Sequence, residues 1–185
     1  MKRILLCCSF IILMASCINE QESLQNLHNR DLDAIADYMR DTPLPSVRTE
    51  QDGTTGIAII WTVENPDGKS PAPGDSLVVD YTGSFLDNRV FDTSIDSVAR
   101  ANNIHNPNRP GGYQPMRMAL GITRLIDGFN FGIFNLKEGE KAVILIPSRY
   151  AYGSVGSQDG SIPPHTPLRF DLDLLEVLAE EEIEI

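Results

Sequence analysis

The stretch Ile126-Asp127-Gly128-Phe129-Asn130-Phe131-Gly132-Ile133-Phe134-Asn135-Leu136 decides the fold class. Ile126, Phe129, Ile133 and Leu136 recur at steps of three and four, one face of a short helix, and Glu138-Gly139 supplies its stop. On both sides the period changes. Leu77 to Tyr81, Gln114 to Leu120, Glu140 to Pro147 and Leu168 to Leu178 read as strands, the last two alternating or running apolar as a sheet face does. Upstream, Gly56 to Glu64 is β-branched and aromatic and stops at the turn Asn65-Pro66-Asp67-Gly68, with a Pro/Gly-rich connector from Ser70 to Asp75. Several antiparallel strands around the one helical stretch of the domain make an α+β fold.

Working outward to the N-terminus, Glu22 to Arg40 carries Leu24, Leu27, Leu32, Ile35 and Met39 at mostly helical spacing, closed by Thr42-Pro43-Leu44-Pro45. This helix reads either as a docking or dimerisation element or as a spacer lying against the domain. Ahead of it, Lys2 and Arg3 precede an apolar run from Ile4 to Met14, too short to span a bilayer but suited to a signal-peptide core. Ala15-Ser16-Cys17 then resembles a bacterial lipoprotein signal, with Cys17 as the lipidated first residue of the mature chain. The expected organisation is a removed signal over residues 1–16 and a lipidated tether with a short helix over 17–55. The main domain follows over 56–178, and an acidic tail over 179–185. The expected place is the cell envelope, on the periplasmic face of the outer membrane, anchored through lipid on Cys17.

A chain of 185 residues, 42% hydrophobic and 22% charged, suits one domain with a real core. Its net charge of −11 argues against nucleic acid, whose phosphates an acidic surface repels. Cys7 and Cys8 fall in the segment to be removed, leaving no pair for a disulfide or a cysteine metal site. His105 and His165 match no ligand spacing, and no phosphate-binding glycine loop, Gly-x-Ser-x-Gly elbow or His-Glu-x-x-His is present. No metal and no cofactor are expected.

The motifs run in a definite order. Gly74-Asp75 and Val79-Asp80-Tyr81-Thr82-Gly83 are followed by Phe91-Asp92-Thr93-Ser94, Leu120-Gly121 and Leu125-Ile126-Asp127-Gly128-Phe129. Gly139-Glu140-Lys141-Ala142, Ile146-Pro147, Ala151-Tyr152-Gly153 and Ile162-Pro163-Pro164 come next, before Leu168-Arg169-Phe170-Asp171 and Leu174-Leu175-Glu176-Val177. From Pro73 to Val177 the chain resembles an FKBP-type peptidyl-prolyl cis-trans isomerase. The resemblance implies an antiparallel sheet of five to six strands half-wrapped around one short helix, with an apolar pocket between them.

It also implies an activity. Peptide-bond rotation faces a barrier of ~18–20 kcal/mol from C–N resonance, and X–Pro bonds change over slowly enough to limit folding. A water-poor pocket that favours the twisted, less polar amide lowers that barrier without nucleophile or metal. Carried over residue by residue, Tyr81, Phe91, Asp92, Ile126 and Tyr152 are the catalytic set. Leu125, Phe129, Phe170, Met116, Met118 and Ile162 would contact substrate. Tyr152 would offer its hydroxyl and Ile126 its backbone N–H to substrate carbonyls, while Asp92 lies beside the twisting carbonyl and orients the aromatic wall. Partners would be proline-containing proteins folding in the envelope.

The chain also departs from the family. Phe129 stands where the best-known members have tryptophan, and Met116 and Met118 where aromatics are usual. Ser161 replaces an apolar pocket-edge residue in a Gly153–Ile162 loop one residue longer than in compact members, which weakens any expectation of macrolide binding. Ile95 to Tyr113 is a long insertion, rich in Asn, Pro, Gly and Arg, that reads equally as a flap over substrate or as a mobile surface loop. An active isomerase therefore competes with two alternatives. One is a weakly catalytic module that binds proline peptides. The other is a structural lipoprotein subunit of an envelope complex.

Overall fold

A computed structural model describes residues 23–179. The expected signal peptide, Cys17, the Ile18–Gln21 tether and the acidic tail from residue 180 onward lie outside the described residues. The chain begins with α1 (residues 23–41), then β1 (Arg48–Gln51), β2 (Ala58–Val63), β3 (Ser76–Phe85) and β4 (Val90–Thr93). There follow α2 (Asp96–Ala101), β5 (Met116–Ala119), α3 (Asp127–Phe134), β6 (Lys141–Ile146), a 3-10 turn (Ser148–Tyr150) and β7 (Leu168–Leu178).

All strands pair antiparallel in one sheet of order β1-β2-β6-β7-β3-β4, with β5 also on β3. One edge of β3 is thus shared: β5 takes Ser76 to Val79 and β4 takes Thr82 to Ser84, while β7 runs along the other edge from Ser76 to Phe85. The sheet has seven strands rather than the expected five to six. β1 is wholly exposed and shows no apolar alternation, so only its pairing with β2, Arg48 opposite Trp61 to Gln51 opposite Ala58, defines it. β4 is the Phe-Asp motif itself, drawn into a strand by β3.

The apolar runs of β2 and β6 have a structural cause. Ile59, Trp61, Ile144 and Ile146 point to the face that α3 covers, where they join Phe129, Ile133, Leu136, Leu168 and Phe170. Their neighbours Ala58, Ile60, Val143 and Leu145 point the other way and are covered by Ile35 and Tyr38 of α1. A strand buried on both faces needs apolar residues at every position, not alternate ones. The N-terminal helix therefore lies against the sheet as its second layer.

Two glycines bring α3 close. A Cβ on Gly132 would sit 2.9 Å from Ile144 Cγ1, and one on Gly128 would strike Ile146. Each glycine weakens the helix by ~1 kcal/mol relative to alanine, a loss offset here by helix–sheet contact. Beneath the helix, the buried Glu140 carboxylate accepts from the Trp61 indole N–H (3.1 Å) and from the backbone N–H groups of Asn65 (3.2 Å) and Lys137 (3.0 Å). The Gly-Glu-Lys motif thus joins three segments at a buried charge that its donors satisfy.

Candidate active site

Residues far apart in sequence meet where β3, β4, β7 and the start of α3 converge. Tyr81 comes from β3, Phe91 and Asp92 from β4, Phe170 from β7 and Phe129 from α3. Their rings form a continuous edge-to-face series: Tyr81 to Phe129 at 6.2 Å, Phe129 to Phe170 at 5.4 Å, and Phe170 to Phe91 at 5.7 Å. Phe85 extends the series behind Phe91 at 5.4 Å. Edge-to-face rings resist sliding, so the series makes a shaped apolar surface rather than a soft one.

Gly83 is required by this packing. A Cβ there would lie 2.6 Å from Phe91 Cε2 and Cζ and 2.9 Å from Phe170 Cε1. Only a residue without a side chain lets both rings close over β3.

Beside the rings lies a polar cluster. The Tyr81 hydroxyl donates to Asp92 Oδ2 at 2.6 Å. Arg109 donates from Nη1 to Asp92 Oδ1 at 2.5 Å and from Nη2 to the Tyr81 hydroxyl at 3.1 Å. Burial and then the Asp92 carboxylate push the Tyr81 hydroxyl up to about 12, with Arg109 opposing them. Tyr81 therefore stays a neutral donor near neutral pH. The hydrogen bond to Asp92 raises the Arg109 pKa, so its cation is secure.

Arg109 is the residue that sequence reading missed. It belongs to the insertion, which is neither structureless nor separate from the site. The insertion opens with α2, a second helix where the sequence showed only one in the domain, with Arg100 paired to Asp96 at 2.7 Å. His105 stacks on Tyr113 at 5.1 Å and reaches Asp96 at 3.1 Å, and the Tyr113 hydroxyl accepts the Asn106 N–H at 2.8 Å. Arg109 lies over the same Tyr113 ring at 5.0 Å. The visible signal was one of two arginines in a polar loop following the Phe-Asp motif, too weak to set it apart from Arg100.

Ile126 precedes α3 in an extended conformation, with φ −64° and ψ 145°. Its carbonyl accepts the Phe129 and Asn130 N–H groups, whereas its own N–H donates to no described group. Leu125 and Ile126 are half-buried against the core. Tyr152 follows the 3-10 turn, 37% exposed, and its hydroxyl makes no hydrogen bond to a described residue. Burial, then the Asp92 and Asp159 carboxylates, raise its pKa, keeping a proton available for donation.

The remaining predicted contacts divide. Met116 is partly buried at the edge of the core, opposite Val79. Met118, opposite Leu77, lies two residues further from Tyr81 and is sealed at 3% exposure. Strand register thus sets Met118 deeper in the core than Met116. Ile162 is buried, held by exchange with Ser157: its N–H donates to Ser157 Oγ at 2.8 Å and its carbonyl accepts the Ser157 N–H at 2.9 Å. Ser161 is exposed and donates to Asp159 at the loop tip. Among the described residues no helix is long and apolar enough to cross a membrane.

Comparison with known proteins agrees with this geometry. The family model described as FKBP-type peptidyl-prolyl cis-trans isomerase matches residues 68–175. An FK506-binding protein of Neisseria meningitidis serogroup C is 34% identical over 122 residues, covering 66% of this chain and 97% of that protein. FK506-binding protein 1 of Candida glabrata is 37% identical over 112 residues, covering 60% of this chain and 84% of its own length. Among solved structures, FkpA from Escherichia coli aligns with a TM-score of 0.58 at 27% identity, over 91% of this chain and 70% of that one. A peptidyl-prolyl cis-trans isomerase from Pseudomonas syringae shares the fold, with a TM-score of 0.60 at 23% identity, over 84% of this chain and 96% of that chain. With more than half of its length matched and the motif residues gathered around one aromatic surface, the chain belongs to the FKBP-type peptidyl-prolyl cis-trans isomerases.

Proposed function

We propose that this isomerase accelerates X–Pro bond rotation in proteins folding in the bacterial envelope, held there by lipid on Cys17. The observation that carries the catalytic part is the ring series Tyr81–Phe129–Phe170–Phe91 bordered by donors with no hydrogen-bond partner among the described residues. The proline ring packs on Phe129 and Phe170, with Phe91, Leu125 and Ile162 as walls and Met116 at the edge. The Ile126 N–H and the Tyr152 hydroxyl donate to substrate carbonyls and fix the chain on either side of the bond. Asp92 is engaged by Tyr81 and Arg109, so its role is to orient the Tyr81 ring and to set the field beside the rotating carbonyl. Rotation moves the amide from a planar, polar form to a twisted, less polar one. A dry aromatic surface stabilises the second more than the first, and each ~1.36 kcal/mol of difference is tenfold in rate.

The test is proline-limited refolding of a test protein with soluble chain from Ile18 onward. Acceleration that falls sharply on Tyr152→Phe plus Asp92→Ala is expected. No acceleration, or acceleration unaltered by both changes, would favour a binding module. The anchor is tested separately: Cys17→Ala releases the protein from membranes if lipid holds it, and unchanged membrane association refutes lipidation as the cause.

A further inference from the structure

The loop that carries Tyr152 is not held by the isomerase domain alone. It leaves β6 at Ile146, turns through Ser148–Tyr150, passes Tyr152 and returns to β7 at Leu168. Its two ends are joined by the His165 N–H, which donates to the Gly153 carbonyl at 2.8 Å. Adjacent residues of α1 grip both ends. Asp31, 1% exposed, accepts from the Ser148 backbone N–H at 2.9 Å and from the Ser148 hydroxyl through the same oxygen. Arg30 donates to the His165 carbonyl at 2.7 Å and pairs with the other Asp31 oxygen at 2.9 Å.

We infer that Asp31 and Arg30 are positioning residues for Tyr152, so that α1 sets the geometry of the catalytic loop. This rests on the role given to Tyr152 above. Three observations carry it. A buried carboxylate is costly unless its bonds are made, and here they fall on the first residue of the turn leading into Tyr152. The second bond set, from the neighbouring residue, reaches the opposite end of the same loop. The packing beside these contacts is open: His28 of α1 meets Tyr150 edge to face at 6.3 Å, but a groove of about 330 Å³ lined by Leu24, Leu27, His28, Arg149, Ser154 and His165 runs between the first turns of α1 and the loop. The polar contacts of Asp31 and Arg30 therefore carry much of the link between helix position and loop. Both residues lie outside residues 68–175, the part of the chain that the family model matches.

The experiment is a double-mutant cycle in the soluble chain from Ile18, read by kcat and KM on an X–Pro peptide and by thermal unfolding. Asp31→Ala is expected to lower kcat/KM about three- to tenfold, mostly in kcat, through loss of loop position. In a Tyr152→Phe background the same change should have almost no further effect. Asp31→Asn, which keeps an acceptor for Ser148, should retain more activity than Asp31→Ala. Should Asp31→Ala fail to fold, Arg30→Ala serves in its place, since that side chain is 55% exposed. Full activity in folded Asp31→Ala or Arg30→Ala, or losses that simply add to those of Tyr152→Phe, would overturn the inference. Unaltered catalysis in Tyr152→Phe alone overturns the role of that hydroxyl and the coupling with it. An impaired Tyr152→Phe beside a fully active Asp31→Ala overturns the clamp only.

Discussion

Replacing Gly83 with alanine tests how closely the aromatic surface depends on β3. The added Cβ would stand 2.6 Å from two carbons of Phe91 and 2.9 Å from one of Phe170. Carbon atoms settle at ~3.5–4.0 Å, so the Phe91 ring must retreat by roughly 1 Å. Phe170 is buried and cannot yield as far, whereas Phe91 is only half-buried and takes most of the shift. Overpacking of this kind costs ~1–3 kcal/mol, and the stiffer unfolded chain returns ~0.5–1 kcal/mol. A net loss of about 1–2 kcal/mol follows, which for a chain of this size lowers Tm by roughly 2–8 °C. The functional effect is larger than the stability effect. Moving Phe91 opens its edge contact with Phe170 and displaces a wall of the substrate surface, for a fall of about tenfold in kcat/KM. Urea unfolding and an X–Pro peptide assay on one preparation measure both. Adding Phe91→Leu to Gly83→Ala should recover part of the stability without recovering activity, because the clash with Phe91 goes while that with Phe170 stays and the wall does not return. A Gly83→Ala protein with parental stability and parental kcat/KM would refute the reasoning.

Further outcomes follow from other contacts. Arg109→Ala removes a pair whose side chains are 28% and 41% exposed, so a stability loss near ~1 kcal/mol is expected rather than the several of a buried pair. Activity should fall more clearly, and Arg109→Lys should recover only part of it, because lysine cannot bridge Asp92 and Tyr81 as the planar guanidinium does. The Tyr81 hydroxyl, raised to about 12 from an ordinary ~10, stabilises the fold fully below pH ~10 and loses that contribution as pH rises through 12. Ultraviolet titration should show a tyrosinate forming near pH 12 that is absent from Tyr81→Phe. Ile35→Ala deletes a fully buried side chain between α1 and the sheet and should cost ~2–5 kcal/mol in urea unfolding, whereas a detached spacer helix would show almost no change.

Much of the fold was legible because its pattern is local. The three-and-four spacing from Ile126 marks α3, and the apolar runs mark β2, β6 and β7 almost to the residue. What escaped was made by partners distant in the chain. Arg48-Thr49-Glu50-Gln51 carries no strand signal; pairing with β2 straightens it, helped by Arg48 over the Trp61 ring at 3.6 Å and its pair with Glu64 at 2.9 Å. α2 is six residues long, held by one ion pair and the buried Ala99, in a segment whose asparagines and prolines speak for a loop. The site divides the same way. The aromatic residues and Asp92 lay within ordered motifs, but the reach of Arg109 to Asp92 depends on the path of the insertion. Asp31 looked like one polar residue among many on an amphipathic helix. The depth of Met118 was hidden for a related reason, since strand periodicity gives a face but not a distance along the strand from Tyr81.

These misses share a physical logic. Proline isomerisation transfers no atom and asks only for a surface that prefers a twisted amide, so rate depends on where the rings and donors stand. Ring positions are set by edge-to-face contacts within the sheet and α3, which any chain with these motifs reproduces. Donor and wall positions at the rim are set from outside: Arg109 of the insertion fixes Asp92 and Tyr81 on one flank, and Asp31 of α1 fixes the start of the Tyr152 loop on the other. Such supports are polar and long in sequence separation, because each needs only to hold a residue in place. A shift that weakens transition-state contact by ~1.4 kcal/mol is already a tenfold loss. On the proposed reading, α1 and the insertion contribute to catalysis alongside the motifs. Exchanging α1 or the insertion for that of a relative should alter kcat more than it alters the fold.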